Sequence, residues 1–513
     1  MAAFSRVVSI GDERENMNHR RPTLPIASSL LFIGSIARAQ PPGSAPRSEA
    51  SPPIVADTKG ELPATGRWRA SIYGFVEFDG MYDTTQSFAD GPGNAPILRS
   101  DGSRPAYLPV GTDELKGVMY GATHGRLQAT ARNTRFGLKV QPPEFGGVTT
   151  TGVLEFDLFG NQPSSPPITS EGSFFTSPTL RLRHAYLKLQ TDVVDVLVGQ
   201  YYNLFGWQPN FFPGTLSFLG TPNMIFGRTP QIRLSKTIKT HPVDIEFSGA
   251  ATRPPQRDSG SPGLEWGARL EINRWRGVRG RGSGQPTLDG AQFGVSGVLR
   301  KFKVIAFSNN RGDITQATDV AQAGGKGLSF DALIPVIPAS DLENRSIAVT
   351  FTASYVKGQG IADLYTGGLT GGVQFPLPAG PGGPSTGIYA SNIDPGLVQY
   401  RITDPGIGTQ AELRVIDWAS QMVGVQVYLP PETKLAVTAN YARGKSDNIG
   451  QDIPEGGDPA RTFKVSEYYD ANVFIDATPA VRFALSYQYI RQRYVDEGWE
   501  KNHRGEIGGL FFF

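Results

Sequence analysis

Five arginines stand where alternation turns them away from apolar neighbours. Arg135 opposes Phe136 and Leu138, Arg181 and Arg183 oppose Leu180 and Leu182, Arg233 opposes Ile232 and Leu234, and Arg228 stands just ahead of that last group. A guanidinium is a permanently charged planar fork that matches carboxylate and phosphate oxygens, so a row of them on one face draws anions. The stretch 203–228 that runs into Arg228 contains no Asp or Glu. It carries Phe205, Trp207, Phe211, Phe212, Phe218 and Phe226 together with Leu216, Leu219, Met224 and Ile225. That is too much apolar surface for a segment left in water, so it must pack. The chemistry on offer is electrostatic attraction beside a packed aromatic segment. For each arginine taken singly there is a competing use, pairing across strands with Glu155, Asp157, Asp244 or Glu246.

Other chemistries find little support. The histidines (His19, His124, His184, His241 and His503) are scattered and show neither metal-ligand spacing nor a nucleophile and carboxylate in a recognisable order, so no metal site and no catalytic residues are expected. The chain has no cysteine, which removes disulfides, thiolate metal sites and cysteine nucleophiles. Arg279-Gly-Arg-Gly-Ser-Gly284 lacks the strand-to-helix setting of a phosphate cradle and reads as a flexible connection. No cofactor is implied, and a net charge of +2 gives no footprint for nucleic acid.

The elements that must position the arginines are strands. From Ser71 onward the chain alternates with period two in about sixteen segments, near 71–83, 124–140, 148–159, 178–190, 193–202, 229–237, 242–252, 263–275, 290–306, 327–337, 345–357, 415–429, 432–443, 465–477, 480–494 and 503–513. Leu154, Phe156 and Leu158 oppose Glu155 and Asp157; Val243, Ile245 and Phe247 oppose Asp244 and Glu246. A soluble sandwich alternates in the same way, and the connections separate the two cases. Long ones, such as 84–123, 203–228, 307–326 and 358–414, follow odd-numbered segments; after even-numbered ones come tight turns such as Thr191-Asp192, Pro430-Pro431 and Thr478-Pro479, with 276–289 the exception. Long loops on one rim and short turns on the other belong to a transmembrane antiparallel β-barrel, and the apolar face of the final Ile507-Gly-Gly-Leu-Phe-Phe-Phe513 suits its closing strand. The expectation is an all-β barrel over 71–513 with the third long connection folded inward.

Ahead of the barrel, His19-Arg20-Arg21, an apolar core from Leu24 to Ile36 and Ala37-Arg38-Ala39 form a secretory signal, with Met17 as an alternative start. Residues 1–39 are thus read as extension and signal, and 40–70, rich in Pro, Ala and Ser up to Gly66, as a disordered periplasmic segment.

Several stretches resemble the DcaP-like outer-membrane porins, a family of dicarboxylate-type channels. They are Gly199-Gln200 with Pro213, Leu216 and Phe218; Phe226-Gly-Arg-Thr-Pro-Gln-Ile-Arg233; Ala131-Arg-Asn-Thr-Arg-Phe136; Arg183-His-Ala-Tyr-Leu187; Tyr355-Val-Lys-Gly-Gln-Gly-Ile361; and Asp470-Ala-Asn472 leading to Pro479 and the final Phe. Trp207-Gln-Pro-Asn210 departs from the more polar stretch expected there, and the N-terminal segment has no heptads. The resemblance implies a homotrimer in Gram-negative outer-membrane lipid, inserted by the barrel assembly machinery through Phe513. It also implies a third loop that narrows a lumen through which small anionic solutes diffuse. A phosphate or general diffusion porin is the nearest alternative. A barrel acting as structural anchor or adhesin through 358–414 is the alternative of a different class.

The leader makes one prediction: N-terminal sequencing of protein recovered from membranes begins at or next to Gln40. A chain still starting at Met1 overturns the export reading.

Overall fold

The computed structural model describes residues 68–87, 93–100, 121–160, 178–217, 220–254, 259–280, 282–307, 317–343, 345, 347–369, 396–402, 411–430, 434–451 and 462–513. The signal and Pro-rich segments read from the sequence lie outside these residues up to 67, as does Phe218. In chain order the strands are β1 (Arg69–Asp83), β2 (Arg126–Thr130), β3 (Arg135–Gln141), β4 (Thr149–Gly160), β5 (Thr179–Gln190), β6 (Asp195–Tyr202), β7 (Arg228–Lys239), β8 (Val243–Thr252), β9 (Gly263–Arg279) and β10 (Thr287–Phe307). They continue with β11 (Ala317–Ile337), β12 (Val349–Gln359), β13 (Val398–Ile402), β14 (Ala411–Val415), β15 (Asp417–Leu429), β16 (Leu435–Lys445), β17 (Phe463–Thr478), β18 (Val481–Tyr494) and β19 (Trp499–Phe512).

All but β13 and β14 form one 17-stranded antiparallel sheet that closes on itself where β1 meets β19. Register across that seam runs from Phe75↔Phe512 to Asp83↔Arg504. Gly74 and Phe513 exchange a pair of backbone hydrogen bonds of 3.1 Å, so the last residue completes the ladder. Both β2 and β3 pair with β1, at Asp79↔Thr130 and Phe75↔Arg135, on either side of a tight turn at Ala131–Thr134. They are one crossing with a break, and the barrel has sixteen crossings. β13 and β14 are a separate hairpin within the connection from β12 to β15.

The faces are inverted relative to a soluble domain. Phe78, Leu182, Ile232, Phe247, Phe330 and Phe483 are exposed on the outside, whereas Asp79, Asp157, Arg183, Ser296, Asp470 and Arg504 are buried inside. Leaving a Leu or Phe side chain in water forfeits roughly 1.5–3 kcal/mol relative to burial, and nearly every strand carries such residues. The arrangement is stable only when the outer face meets an apolar medium. Among the described residues no helix is long and apolar enough to cross a membrane.

Several boundaries differ from the sequence reading, β1 beginning at Arg69, inside the segment read as disordered, and β19 at Trp499. The gap expected at 307–326 shrinks, because β11 starts at Ala317 and pairs back to Phe307. Its first residues, Ala317-Thr-Asp-Val-Ala-Gln-Ala-Gly-Gly325, are small and polar and carry no apolar period, yet the backbone ladder continues without one. The exceptional gap at 276–289 also closes, since β9 runs to Arg279 and β10 starts at Thr287. Val415 belongs to the loop hairpin, and the wall strand begins at Asp417.

A test follows from Leu485, which is 54% exposed on β18. Leu485→Arg should cost about 2–4 kcal/mol in refolding titrations into lipid vesicles, the toll of a cation on a lipid-facing strand. A change within about 0.5 kcal/mol, usual at a water-exposed surface site, would refute the lipid-facing assignment.

Candidate functional site: the third connection and the arginine wall

The connection between β6 and β7 leaves the wall at Asn203 and is fixed at once. Glu265 of β9 accepts hydrogen bonds from the backbone N–H groups of Leu204 and Phe205 at 2.7 and 2.9 Å, and Ser296 of β10 accepts one from Gly206 at 2.8 Å. Gly206 has φ +76°, the left-handed region, and a Cβ there would come within 3.1 Å of Ile225. Only glycine turns the chain at this point without strain. Trp207 also adopts a positive φ, +44°, and is held there by packing. Its indole N–H donates to the Val295 carbonyl at 2.9 Å, and the ring fills space left by Gly267 and Gly294, where a Cβ would lie 2.8 Å away.

The segment then reaches strands far from its origin. The Asn440 side chain of β16 donates to the Gly214 carbonyl at 2.8 Å, the Thr215 hydroxyl donates to Asp470 of β17 at 2.7 Å, and the Leu216 N–H donates to Asn472 at 3.3 Å. Leu216 is buried with Phe75, Phe474 and Leu510. A chain tied to β9 and β10 at one end and to β16, β17 and β19 at the other crosses the lumen. On its return, Asn223 donates to the Ser466 carbonyl at 3.1 Å. Ile225 bridges to Tyr365, and the Phe226 N–H donates to the Leu364 carbonyl at 2.9 Å, so the start of the connection after β12 lies on top of it. Asn94 of the first connection joins them, donating to the Thr366 carbonyl at 2.6 Å and accepting from the Asn223 N–H at 3.2 Å.

Between this segment and the wall of β1 and β3–β6 lies a space of about 130 Å³, bounded in part by Arg135, Glu155, Arg183, Tyr202, Phe212 and Phe226. The aromatic residues singled out in the sequence divide by position. Phe205, Trp207 and Phe211 are packed into the segment's base, while Phe212 and Phe226 face the space with their rings 5.2 Å apart and stacked.

The arginines also divide, and the unpaired ladder expected from the sequence does not hold for three of them. Arg181 grips Asp157 with two hydrogen bonds of 2.9 and 2.6 Å. Arg183 is bound to Glu155 at 2.7 Å and Asp157 at 3.0 Å, and Arg135 lies 3.8 Å from Glu155. The cause is register: a bulge between Glu155 and Phe156 places His184 opposite Glu155 and turns Arg183 towards both carboxylates. Arg228 and Arg233 form no ion pair among the described residues. Arg233 donates to Gln231 at 3.0 Å and to the Tyr202 carbonyl at 2.5 Å. The Arg228 guanidinium lies over the rings of Tyr202 and Phe226, at 5.8 and 5.4 Å, and its Nη1 has no hydrogen-bond partner. Three of the five guanidiniums are thus paired with Glu155 and Asp157, and two are held by neutral groups.

Sequence reasoning missed the anchors Glu265, Asn440, Asp470 and Asn472. It also missed Tyr73, Tyr186 and Tyr201, which line the space; the tandem Tyr201-Tyr202 beside the connection was the available signal. Among the described residues no cluster has the makings of a metal site.

A crystal structure of the outer membrane channel DcaP of Acinetobacter baumannii superposes with a TM-score of 0.54 at 18% sequence identity, covering 88% of this chain and 99% of that one. The two share a fold. Outer-membrane expressed OmpT of Vibrio cholerae (TM-score 0.43, 9% identity, 88% of this chain and 100% of that one) and OprB of Pseudomonas putida (0.43, 11%, 87% and 94%) are also similar. No family model matches the chain, and no curated protein does.

Glu265 holds two otherwise unsatisfied buried N–H groups, each worth about 1–3 kcal/mol when orphaned. Glu265→Ala should therefore loosen the segment's base, seen as flickering and a raised mean conductance in single-channel recordings. Traces as quiet as wild type would show that the aromatic packing alone holds it.

Proposed function

We propose that this protein is an outer-membrane porin through which small anionic solutes, of the dicarboxylate kind, diffuse passively. In this reading it is exported by a cleaved signal, assembles as a homotrimer and performs no catalysis. The observation that carries the reading is the pair Arg228 and Arg233. Both stand at the exit of a lumen-crossing segment free of acidic residues and have no ion pair among the described residues. A guanidinium already neutralised by a carboxylate adds little field; two that are not raise the local concentration of anions in a narrow, low-dielectric passage. The paired arginines Arg135, Arg181 and Arg183 keep the neighbouring wall from being net acidic. Tyr202 and Phe226 beneath Arg228 supply ring faces that hold the cation without cancelling its charge. The solved neighbour described as an outer membrane channel supports the coarser half of the proposal, a barrel with a passage.

Planar-bilayer recordings test it. Wild type should prefer anions. Arg228→Ser/Arg233→Ser should shift the reversal potential towards cations at 0.1 M salt, where the Debye length is about 10 Å, and much less at 1 M, where it is about 3 Å. Conductance at high salt should stay level or rise slightly. A channel already cation-selective, or one whose selectivity ignores both substitutions, would remove the anion half and leave a general diffusion porin. A barrel that does not conduct would leave the anchor or adhesin reading.

A further inference from the structure

The apolar band on the outer face of the barrel gives way to charged side chains towards the rims, among them those on the long-connection side of β11, β12 and β16. There Lys326, Lys357 and Lys445 point outward. The register places Leu328 opposite Lys357, Lys357 opposite Ala419, and Ala419 opposite Lys445. Lys357 and Lys445 thus share a row two strand spacings apart, about 10 Å. Lys326 sits diagonally from Lys357 at roughly 7–8 Å. The small Ala419 between them leaves the row open. These residues border a groove of about 590 Å³ whose apolar lining includes Trp266, Leu299 and Leu328, continuous with the exposed apolar band below.

Like charges on adjacent strands repel, and the local acids Asp417 and Asp447 offset the three lysines only in part. Asp447 pairs with Lys445 at 2.6 Å and Asp417 also borders the groove, but Lys326 and Lys357 form no ion pair among the described residues. Ammonium groups at the edge of an apolar band extend towards the headgroup layer and there attract anionic lipid. Lysine meets phosphate as a compact point charge, without the bidentate geometry a carboxylate partner would favour.

We propose that this groove binds a phosphate-bearing lipid of the leaflet on the long-connection side. Its phosphates would lie among Lys326, Lys357 and Lys445 and its acyl chains against Trp266, Leu299 and Leu328. The proposal needs the barrel to lie in a membrane but is independent of what passes through the lumen. Loss of pore selectivity and loss of this site are therefore separate results.

The test is native mass spectrometry of the full detergent-solubilised protein titrated with lipid A, with the same lipid after phosphatase treatment, and with inorganic phosphate as competitor. Wild type should retain lipid A and release the dephosphorylated form, and millimolar inorganic phosphate should not displace the lipid. Lys326→Gln/Lys357→Gln/Lys445→Gln should weaken lipid A binding on the order of 100-fold, from about 1 kcal/mol per lysine at a lipid surface. The control Lys236→Gln/Lys239→Gln, on β7 at the opposite rim, should bind as wild type does. Unchanged heat-modifiable mobility on gels verifies that the triple variant is folded. Equal binding of both lipid forms by wild type, full binding by the folded triple variant, or displacement by free phosphate would each overturn the proposal.

Discussion

Closure of β1 on β19 is the constraint from which the rest follows. In an apolar medium an unpaired backbone N–H or carbonyl costs several kcal/mol with no water to offset it, so a sheet there must have no edge. The seam meets this down to the last residue, through the paired hydrogen bonds of Gly74 and Phe513. Once the sheet is closed, period-two alternation has only two destinations, outside and lumen. Polar side chains sent to the lumen must then satisfy one another. Asp83 does so with Arg504 in a two-pronged pair of 2.9 Å bonds, both side chains fully buried, directly across the seam.

The lumen-crossing segment is the second consequence. A wall rich in buried carboxylates and amides offers acceptors and donors that want partners, and a segment without acids offers its backbone N–H groups, carbonyls and Thr215 in return. Glu265 is on β9, whereas Asn440 is on β16 and Asp470 and Asn472 are on β17, five and six of the sixteen crossings away, yet each holds a piece of the same stretch. Acidic residues in the segment would have faced these carboxylates at close range. Its lack of Asp and Glu is thus as much a condition of docking as of any preference for anions.

Much of this was legible in the chain. Sixteen crossings, their faces and the rim asymmetry follow from alternation because a one-residue slip would send every side chain to the wrong side. The strand ends at 307 and 317 were not legible, because beyond the apolar band the ladder has no hydrophobic signature to read. Within 203–228 no period exists, so nothing in the sequence distinguishes buried Phe211 from Phe212, which faces the open space. Glu265 looked like one more lumen-facing acid, since its role depends on a contact with Leu204 and Phe205 sixty residues away in sequence. The pairing of Arg183 with both Glu155 and Asp157 depends on a bulge, a local irregularity that alternation alone reads straight through.

The five arginines show how one residue type comes to serve two purposes on one wall. Removing a partner from a buried ion pair leaves an uncompensated charge, a loss of about 3–5 kcal/mol, so Arg183 is bound up with the integrity of β4 and β5. Arg228 and Arg233 are held by ring faces, an amide oxygen and a backbone carbonyl, neutral groups that fix a guanidinium without quenching it. Position along the chain explains the division. Arg181 and Arg183 lie directly across from β4, where the acids are, whereas β7 is flanked by β6 and β8, whose carboxylates Asp195, Glu246 and Asp244 stand opposite Ser235, Thr237 and Lys239, past the stretch from Arg228 to Arg233. A charge meant to act on solute has to be placed where register denies it a carboxylate, and the start of β7 is such a place.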